Sequence, residues 1–220
     1  MIGSESVWDR KETTDVILSD QAYNIVIGGV LCWGFGINYL TVMMVPVEAI
    51  LAIPFWMILI GYFVSVIAGT VIFQKSDNPA ISFLGYNLIV LPIGIVLTPF
   101  LHSFDPTLIM DALLVTGGFT GLMMFLGATY PAFFLSIGRV LAFSLIGIIL
   151  IEIGLIFTMG HQPEIIDWLV AGLFCMYIGY DWARANKIPK TMDNAVDSAA
   201  SLYLDIINLF IRILSILSRR

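Results

Sequence analysis

The chain has 220 residues, of which 59% are hydrophobic and only 12% are charged, and its formal net charge is −6. This composition excludes a soluble globular domain, because such domains carry about twice as large a fraction of charged residues. The negative balance also excludes a basic surface of the kind that binds nucleic acids.

Residues 1–20 form an acidic head with the carboxylates Glu5, Asp9, Glu12, Asp15 and Asp20. A cleavable signal peptide would instead begin with basic residues ahead of an apolar core, so no such signal is predicted. Residues 1–22 are therefore interpreted as a cytoplasmic N-terminal segment, and the first apolar stretch is expected to act as the insertion signal.

Seven apolar stretches follow the head, each near the ~20 residues that a helix needs to cross the hydrocarbon core of a bilayer. They cover residues 23–45, 52–73, 81–101, 108–130, 139–159, 165–186 and 196–217. Backbone groups in lipid must be paired within their own segment, so the stretches are predicted to be helices. The sequence thus predicts an all-α, polytopic membrane protein, with a seven-transmembrane-helix bundle at 23–217 and a C-terminal tail at 218–220.

Lysines and arginines are distributed unevenly between the two predicted sides of the membrane. Arg212 is left out of the count because it lies within a span. Seven basic residues lie on the side of the N-terminus: Arg10, Lys11, Lys75, Arg139, Arg184, Lys187 and Lys190. The opposite side has two, Arg219 and Arg220. The positive-inside rule then predicts a cytoplasmic N-terminus and an external C-terminus. The compact length and the lack of a eukaryotic retention signal favour a prokaryotic cytoplasmic membrane.

Glycines and prolines suggest how the spans pack. Clusters of glycine allow helices to approach closely, which is expected at Gly28, Gly29, Gly34 and Gly36 in the first span and at Gly117, Gly118, Gly121 and Gly127 in the fourth. Pro92 and Pro99 in the third span free backbone carbonyls that neighbours or water must satisfy. Kinked packing and a gating hinge are both consistent with these prolines.

The sixth span ends with an acid, Asp181, just inside its cytoplasmic end. On a helix, Tyr177 lies one turn before Asp181 and Arg184 lies three residues after it, so the acid has a potential hydrogen-bond donor on each side.

The seventh span carries a polar stripe through an otherwise apolar helix. Its members recur at spacings of three and four and therefore share one face: Ser198, Ser201, Asp205, Asn208, Arg212, Ser215 and Arg219. Asp205 lies about two turns inside the span. Acids at such positions usually face a bundle interior or a watery cavity and mark an ion or proton path, so Asp205 is the first candidate functional residue.

An antiparallel hairpin folded near residue 193 would set Asp181 and Asp205 at the same depth, ~10 Å below the cytoplasmic interface at about 1.5 Å of helix rise per residue. Two carboxylates in a poorly hydrated site cannot both ionise cheaply, so they are predicted to share a proton and to titrate in two steps. Fully ionised, they could bind a hard cation such as Ca²⁺ transiently, with Ser201 and Asn208 as further ligands.

Two structural alternatives stand beside this interpretation. The acids could form a purely structural buried pair, or Asp205 could form an ion pair with Arg212, although a spacing of seven residues disfavours direct contact within one helix. Glu152 in the fifth span and Asp111 in the fourth could extend an acidic path, or could lie at the outer interface.

Residues 201–210, SLYLDIINLF, resemble the last-helix signature of the Bax inhibitor-1 (transmembrane Bax inhibitor motif) family. Tyr180-Asp181, Gly85-Tyr86 and the seven spans extend the resemblance to most of the chain in layout, but only to the last two helices in motif. The resemblance implies a pH-sensitive calcium leak channel without a cofactor, in which Asp181 and Asp205 form the proton-sensitive element. The family pattern tends to place latching arginines after the second span, where this chain has only Lys75; Lys75 or Arg184 could substitute.

The alternative function is regulatory: binding to another membrane protein, such as a membrane protease or a cell-death factor, with residues 1–20 as the docking segment. A retinal photoreceptor is excluded, because every lysine lies outside the spans or at their ends. An enzyme is not expected, since the spans contain no nucleophile with a partnered base and no metal cluster. The expected partners are lipid, calcium ions and protons, without nucleic acid.

Overall fold

The computed structural model describes residues 16–159 and 163–219, and every regular element within these ranges is an α-helix. The described helices are α1 (Asp20–Met44), α2 (Val47–Leu51), α3 (Phe55–Lys75), α4 (Pro79–His102), α5 (Pro106–Thr129), α6 (Pro131–Ser136), α7 (Gly138–Met159), α8 (Glu164–Ala185) and α9 (Met192–Ser218). Seven of them, all except α2 and α6, are long and apolar enough to cross a membrane. The predicted fold class, an all-α polytopic protein with seven transmembrane helices, is confirmed.

The ends of the seven long helices lie within four residues of the predicted spans. The largest difference is at α9, which begins at Met192 because the side chain of Thr191 caps it: the backbone N–H of Asn194 donates to Thr191 Oγ1 at 3.1 Å. The short helices α2 and α6 were not predicted. Each starts at a proline, Pro46 at the N-cap of α2 and Pro131 within α6, where the fixed φ angle of proline favours a first helical turn.

Side-chain caps start several of the long helices. The backbone N–H groups of Ala22 and Ala80 donate to Ser19 and Asn78, ahead of α1 and α4. Asp105 caps α5 in the same way and accepts hydrogen bonds from both the hydroxyl and the backbone N–H of Thr107. The bond from the hydroxyl, followed by that from the backbone, lowers the pKa of this exposed carboxyl below its usual value.

The chain divides into two compact units, one with α1–α4 and residues 188–201, the other with α5–α8 and residues 202–219. In the first unit, α1 and α3 pack against α4. Helices α3 and α4 approach each other closely at two glycines: a Cβ atom on Gly69 would lie 2.5 Å from the carbonyl oxygen of Gly85. The predicted close approach in α1 is wrong for Gly28, Gly29 and Gly36, whose surroundings are open to 4 Å.

In the second unit, α5, α6 and α7 pack against α8. Gly127 of α5 faces the carbonyl group of Gly179 in α8, so the prediction of close packing holds for this residue. The prediction is wrong for Gly117, Gly118 and Gly121, which have no atom within 4 Å of an added Cβ. In lipid, a glycine can lie on a helix face that no neighbouring helix covers.

Helix α4 continues through Pro92 and Pro99. Pro92 has no N–H to donate to the carbonyl of Leu88, one turn earlier. Ser65 of α3 supplies the missing bond, because its hydroxyl donates to the Leu88 carbonyl oxygen at 2.6 Å. A neighbouring side chain therefore satisfies this freed carbonyl, as the sequence led us to expect.

Replacing Ser65 by Ala should lower the free energy of unfolding by about 1–3 kcal/mol, because the Leu88 carbonyl would be left without a partner in an apolar environment. In a Pro92→Ala background the loss should shrink, since residue 92 then regains its N–H. Unfolding in detergent measures the loss of unfolding free energy in each background. Ser136→Ala is the control, because that exposed hydroxyl bonds only the Phe133 carbonyl; an equal loss in the two backgrounds would contradict the prediction.

Candidate functional site

Asp181 and Asp205 lie together in the second unit. Asp181 is near the C-terminal end of α8, Asp205 is at the middle of α9, and each is only 6% exposed. Their carboxyl groups are joined by a hydrogen bond. An ionised carboxylate can only accept hydrogen bonds, so the donor in such a contact would be a protonated carboxyl group, and the shared proton stays a prediction.

Three helices hold the end of α8 in place beside the pair. Gly179 packs against Gly127 of α5 and against the ring of Phe134 in α6. Gly138, the first residue of α7, lies against the Tyr180 ring, and a Cβ atom there would be 2.6 Å from Cε2 of that ring. The glycines thus let neighbouring elements approach the segment that carries Asp181.

Arg184 provides a positive charge beside the pair. Its Nη2 atom lies 3.0 Å from Asp181 Oδ1, within the same helix, and its guanidinium carbon lies 5.6 Å from the centre of the Tyr180 ring. The donor predicted three residues after Asp181 is therefore in place. An adjacent cation favours the ionised form of an acid, and the ion pair that the structure describes joins Arg184 to Asp181.

The pair does not form a site for a metal ion in the described residues. Asp205 Oδ2 is buried and accepts no hydrogen bond from any residue that the structure describes. Across 16–159 and 163–219, no group of three or more His, Cys, Asp or Glu side chains is placed to hold a metal ion, and calcium binding at the pair stays a prediction.

The other predicted residues around the pair have varied contacts. Tyr177 is near enough to interact electrostatically with both acids. The Ser201 hydroxyl donates to the Asp197 carbonyl at 3.2 Å, and the Asn208 amide donates to the Leu204 carbonyl at 2.8 Å, so both bond within their own helix. Lys75 is exposed at the end of α3, in the other unit. The proposed roles of these residues as ligands or latches stay predictions.

Arg212 forms two ion pairs, neither of them with Asp205. Its Nη2 atom lies 2.7 Å from Glu152 Oε1 of α7, and its Nη1 atom lies 2.9 Å from Asp167 Oδ1 of α8. Arg219 Nη2 lies 2.7 Å from Asp167 Oδ2. Glu152 is thus an ion-pair partner of the last helix, whereas Asp111 is exposed on α5.

Sequence reasoning missed Asp167, although it is 1% exposed. An acid in the first turn of a helix is usually explained by the helix dipole, so this position alone does not mark Asp167 as functional. A usable signal was the spacing, because Asp167 precedes Asp181 by as many positions as Arg219 follows Asp205. In an antiparallel hairpin that pairs Asp181 with Asp205, Asp167 and Arg219 must also be level.

Most of the acidic head lies outside the described residues, as do His161 and Arg220. The described part begins at Val16. Leu18 donates its backbone N–H to the Lys190 carbonyl at 2.8 Å, and Asp20 forms an ion pair with the Lys190 side chain. The predicted docking role of residues 1–20 stays a prediction.

A family model described as "Inhibitor of apoptosis-promoting Bax1" matches residues 16–220. No curated protein matches the chain.

Proposed function

The chain belongs to the Bax inhibitor-1 family, and on that premise we propose that it is a pH-sensitive calcium leak channel gated by a proton shared between Asp181 and Asp205. It is a membrane protein of the Bax inhibitor-1 type. Calcium is the transported ion in this proposal, with no cofactor and no catalytic step. We further propose a prokaryotic cytoplasmic membrane, with the N-terminus in the cytoplasm and the C-terminus outside.

The observation that carries the proposal is the hydrogen bond between two buried carboxyl groups. With one proton present, the bond holds α8 and α9 together and the pair has a single negative charge, which Arg184 neutralises. The pair then binds cations weakly, and the channel is closed.

Loss of the shared proton breaks the hydrogen bond and leaves both carboxylates charged. Two unit charges ~4 Å apart repel by about 4 kcal/mol at an effective dielectric constant of 20. A change of that size shifts a two-state equilibrium by roughly a thousandfold. The separated carboxylates also become available as oxygen ligands for a hard cation such as Ca²⁺, so ionisation both drives opening and creates a cation site.

Arg184 takes the place of the latching arginines that the family pattern puts elsewhere. Its contact with Asp181 is formed within α8, and its position above Tyr180 restrains the guanidinium group. The arginine therefore compensates the charge of the ionised member of the pair in the closed state.

Proteoliposomes loaded with a calcium dye test the proposal. Native protein should pass calcium at neutral pH and lose most of this flux on acidification across roughly pH 5 to 8, the window that a buried carboxylate pair can cover. Asp205→Asn should remove the pH dependence, because a single acid cannot share a proton. The control is Asp111→Asn, the same change at an exposed acid of α5. Equal pH profiles for native protein and Asp205→Asn would refute the proposal.

A further inference from the structure

A second charged network lies at the opposite end of α8 from the aspartate pair. Asp167 is bound by two arginines, Arg212 of α9 and Arg219 immediately after it, and Arg212 also binds Glu152 of α7. Asp167 is almost completely buried, with 2% of its side chain exposed, whereas the side chain of Arg219 is 37% exposed. The network holds two cations and two anions, so all four groups can stay charged while compensating one another.

The positions of the contacts on the helices connect this network to the pair. The stretch of α8 from Asp181 back to Asp167 has the same number of residues as the stretch from Asp205 along α9 to Arg219, which directly follows the helix. Each stretch corresponds to ~21 Å along a helix axis. The Asp167–Arg219 ion pair and the Asp181–Asp205 hydrogen bond therefore belong to the same antiparallel register of the two helices.

We propose that the Asp167–Arg212–Glu152–Arg219 network is a register anchor that positions Asp205 opposite Asp181. Sliding α9 by one turn, ~5.4 Å, would move Asp205 away from Asp181 and would break the Asp167–Arg219 contact at the same time. Arg212 adds resistance because it binds acids of two different helices, so a slip must break several ion pairs together. In this proposal the four residues position the aspartate pair and do not contact the transported ion.

The inference rests on the proposed proton sharing, which calcium flux alone would test only indirectly. Infrared spectroscopy follows protonated carboxyl groups directly, and the signal of the pair is the part that Asp205→Asn removes. In the native protein, the pair should titrate in two steps that are driven apart by mutual repulsion. The charged and titratable groups known to face the pair are Arg184 and Tyr177, and the test leaves both unchanged.

Asp167→Asn should narrow the gap between the two titration steps by about one pH unit or more, since acids that are no longer opposed titrate independently. Asp167→Glu, which keeps the charge, should restore most of the gap, and Asp111→Asn should leave it unchanged. An unaltered gap in folded Asp167→Asn protein would overturn the inference. Should that variant not fold, Arg219→Gln removes the contact that shares the register of the pair, and an unaltered gap there is equally decisive.

The outcomes separate this inference from the channel proposal. Two native titration steps that Asp167→Asn leaves unchanged would overturn the anchor alone. A native pair that shows no coupled titration would overturn both the anchor and the shared proton. A narrowed gap in a protein that passes no calcium would support the anchor and contradict the leak.

Discussion

Arg184→Gln should raise the pH at which half of the calcium flux is lost, by about one to two units. The native Asp181 carboxylate has the Arg184 guanidinium 3.0 Å away, and the site is nearly closed to solvent. Without that cation, a charge on the pair is uncompensated, so opening requires more alkaline conditions. Flux is expected above the midpoint and is lost as the pH falls through it. Flux measurements in proteoliposomes at fixed calcium and stepped pH give the midpoint.

Two control variants identify the cause of this shift. Arg184→Lys keeps a positive charge and should leave the midpoint close to that of the native protein. Arg139→Gln removes an exposed arginine from α7 and should have no effect. If Arg184→Gln left the midpoint unchanged or lowered it, Arg184 would not be the cation that compensates the pair.

Gly127→Ala should lower the free energy of unfolding by about 3 kcal/mol, the upper part of the usual range for overpacking. The added methyl group would meet the backbone carbonyl of Gly179, which cannot move aside as a flexible side chain would. The clash lies two residues from Asp181, so surviving folded protein should also show altered pH dependence. Thermal unfolding in detergent and the yield of folded protein measure the loss of stability.

Gly121→Ala provides the matched control in the same helix, because no atom lies within 4 Å of its added Cβ. Alanine is a better helix former than glycine by about 1 kcal/mol, so this variant should be as stable as the native protein or slightly more stable. Equal destabilisation by the two substitutions would show that the α5–α8 contact at Gly127 is not tightly packed.

The long helices were predictable because length and apolar composition alone determine which segments can cross a bilayer. Which faces of those helices meet was much less predictable. In water, an apolar face marks the side of a helix that packs, but in lipid both sides are apolar, as exposed Phe55, Phe143 and Phe157 illustrate. For the same reason, Gly28 and Gly121 resembled packing sites as strongly as Gly127 did, and the close pair Gly69 and Gly85 was missed.

The proximity of Asp181 and Asp205 could be predicted from the sequence because a short connection makes the last two helices antiparallel neighbours, and residue spacing then sets the depth of each acid. The same count of residues along the two helices also places Asp167 level with Arg219. An acid in the first turn of a helix is, however, already explained by the helix dipole. The preference of Arg212 for Glu152 and Asp167 could not be inferred, because it depends on how α7 lies against α8 and α9.

Solid-state NMR of native protein in lipid, with ¹³C-labelled aspartate, tests the shared proton most directly. At the acidic pH where calcium flux is lost, the account predicts one protonated and one ionised carboxyl resonance, joined by a through-space cross-peak and both lost or changed in Asp205→Asn. Two ionised carboxyl resonances without that cross-peak at the same pH would contradict the account.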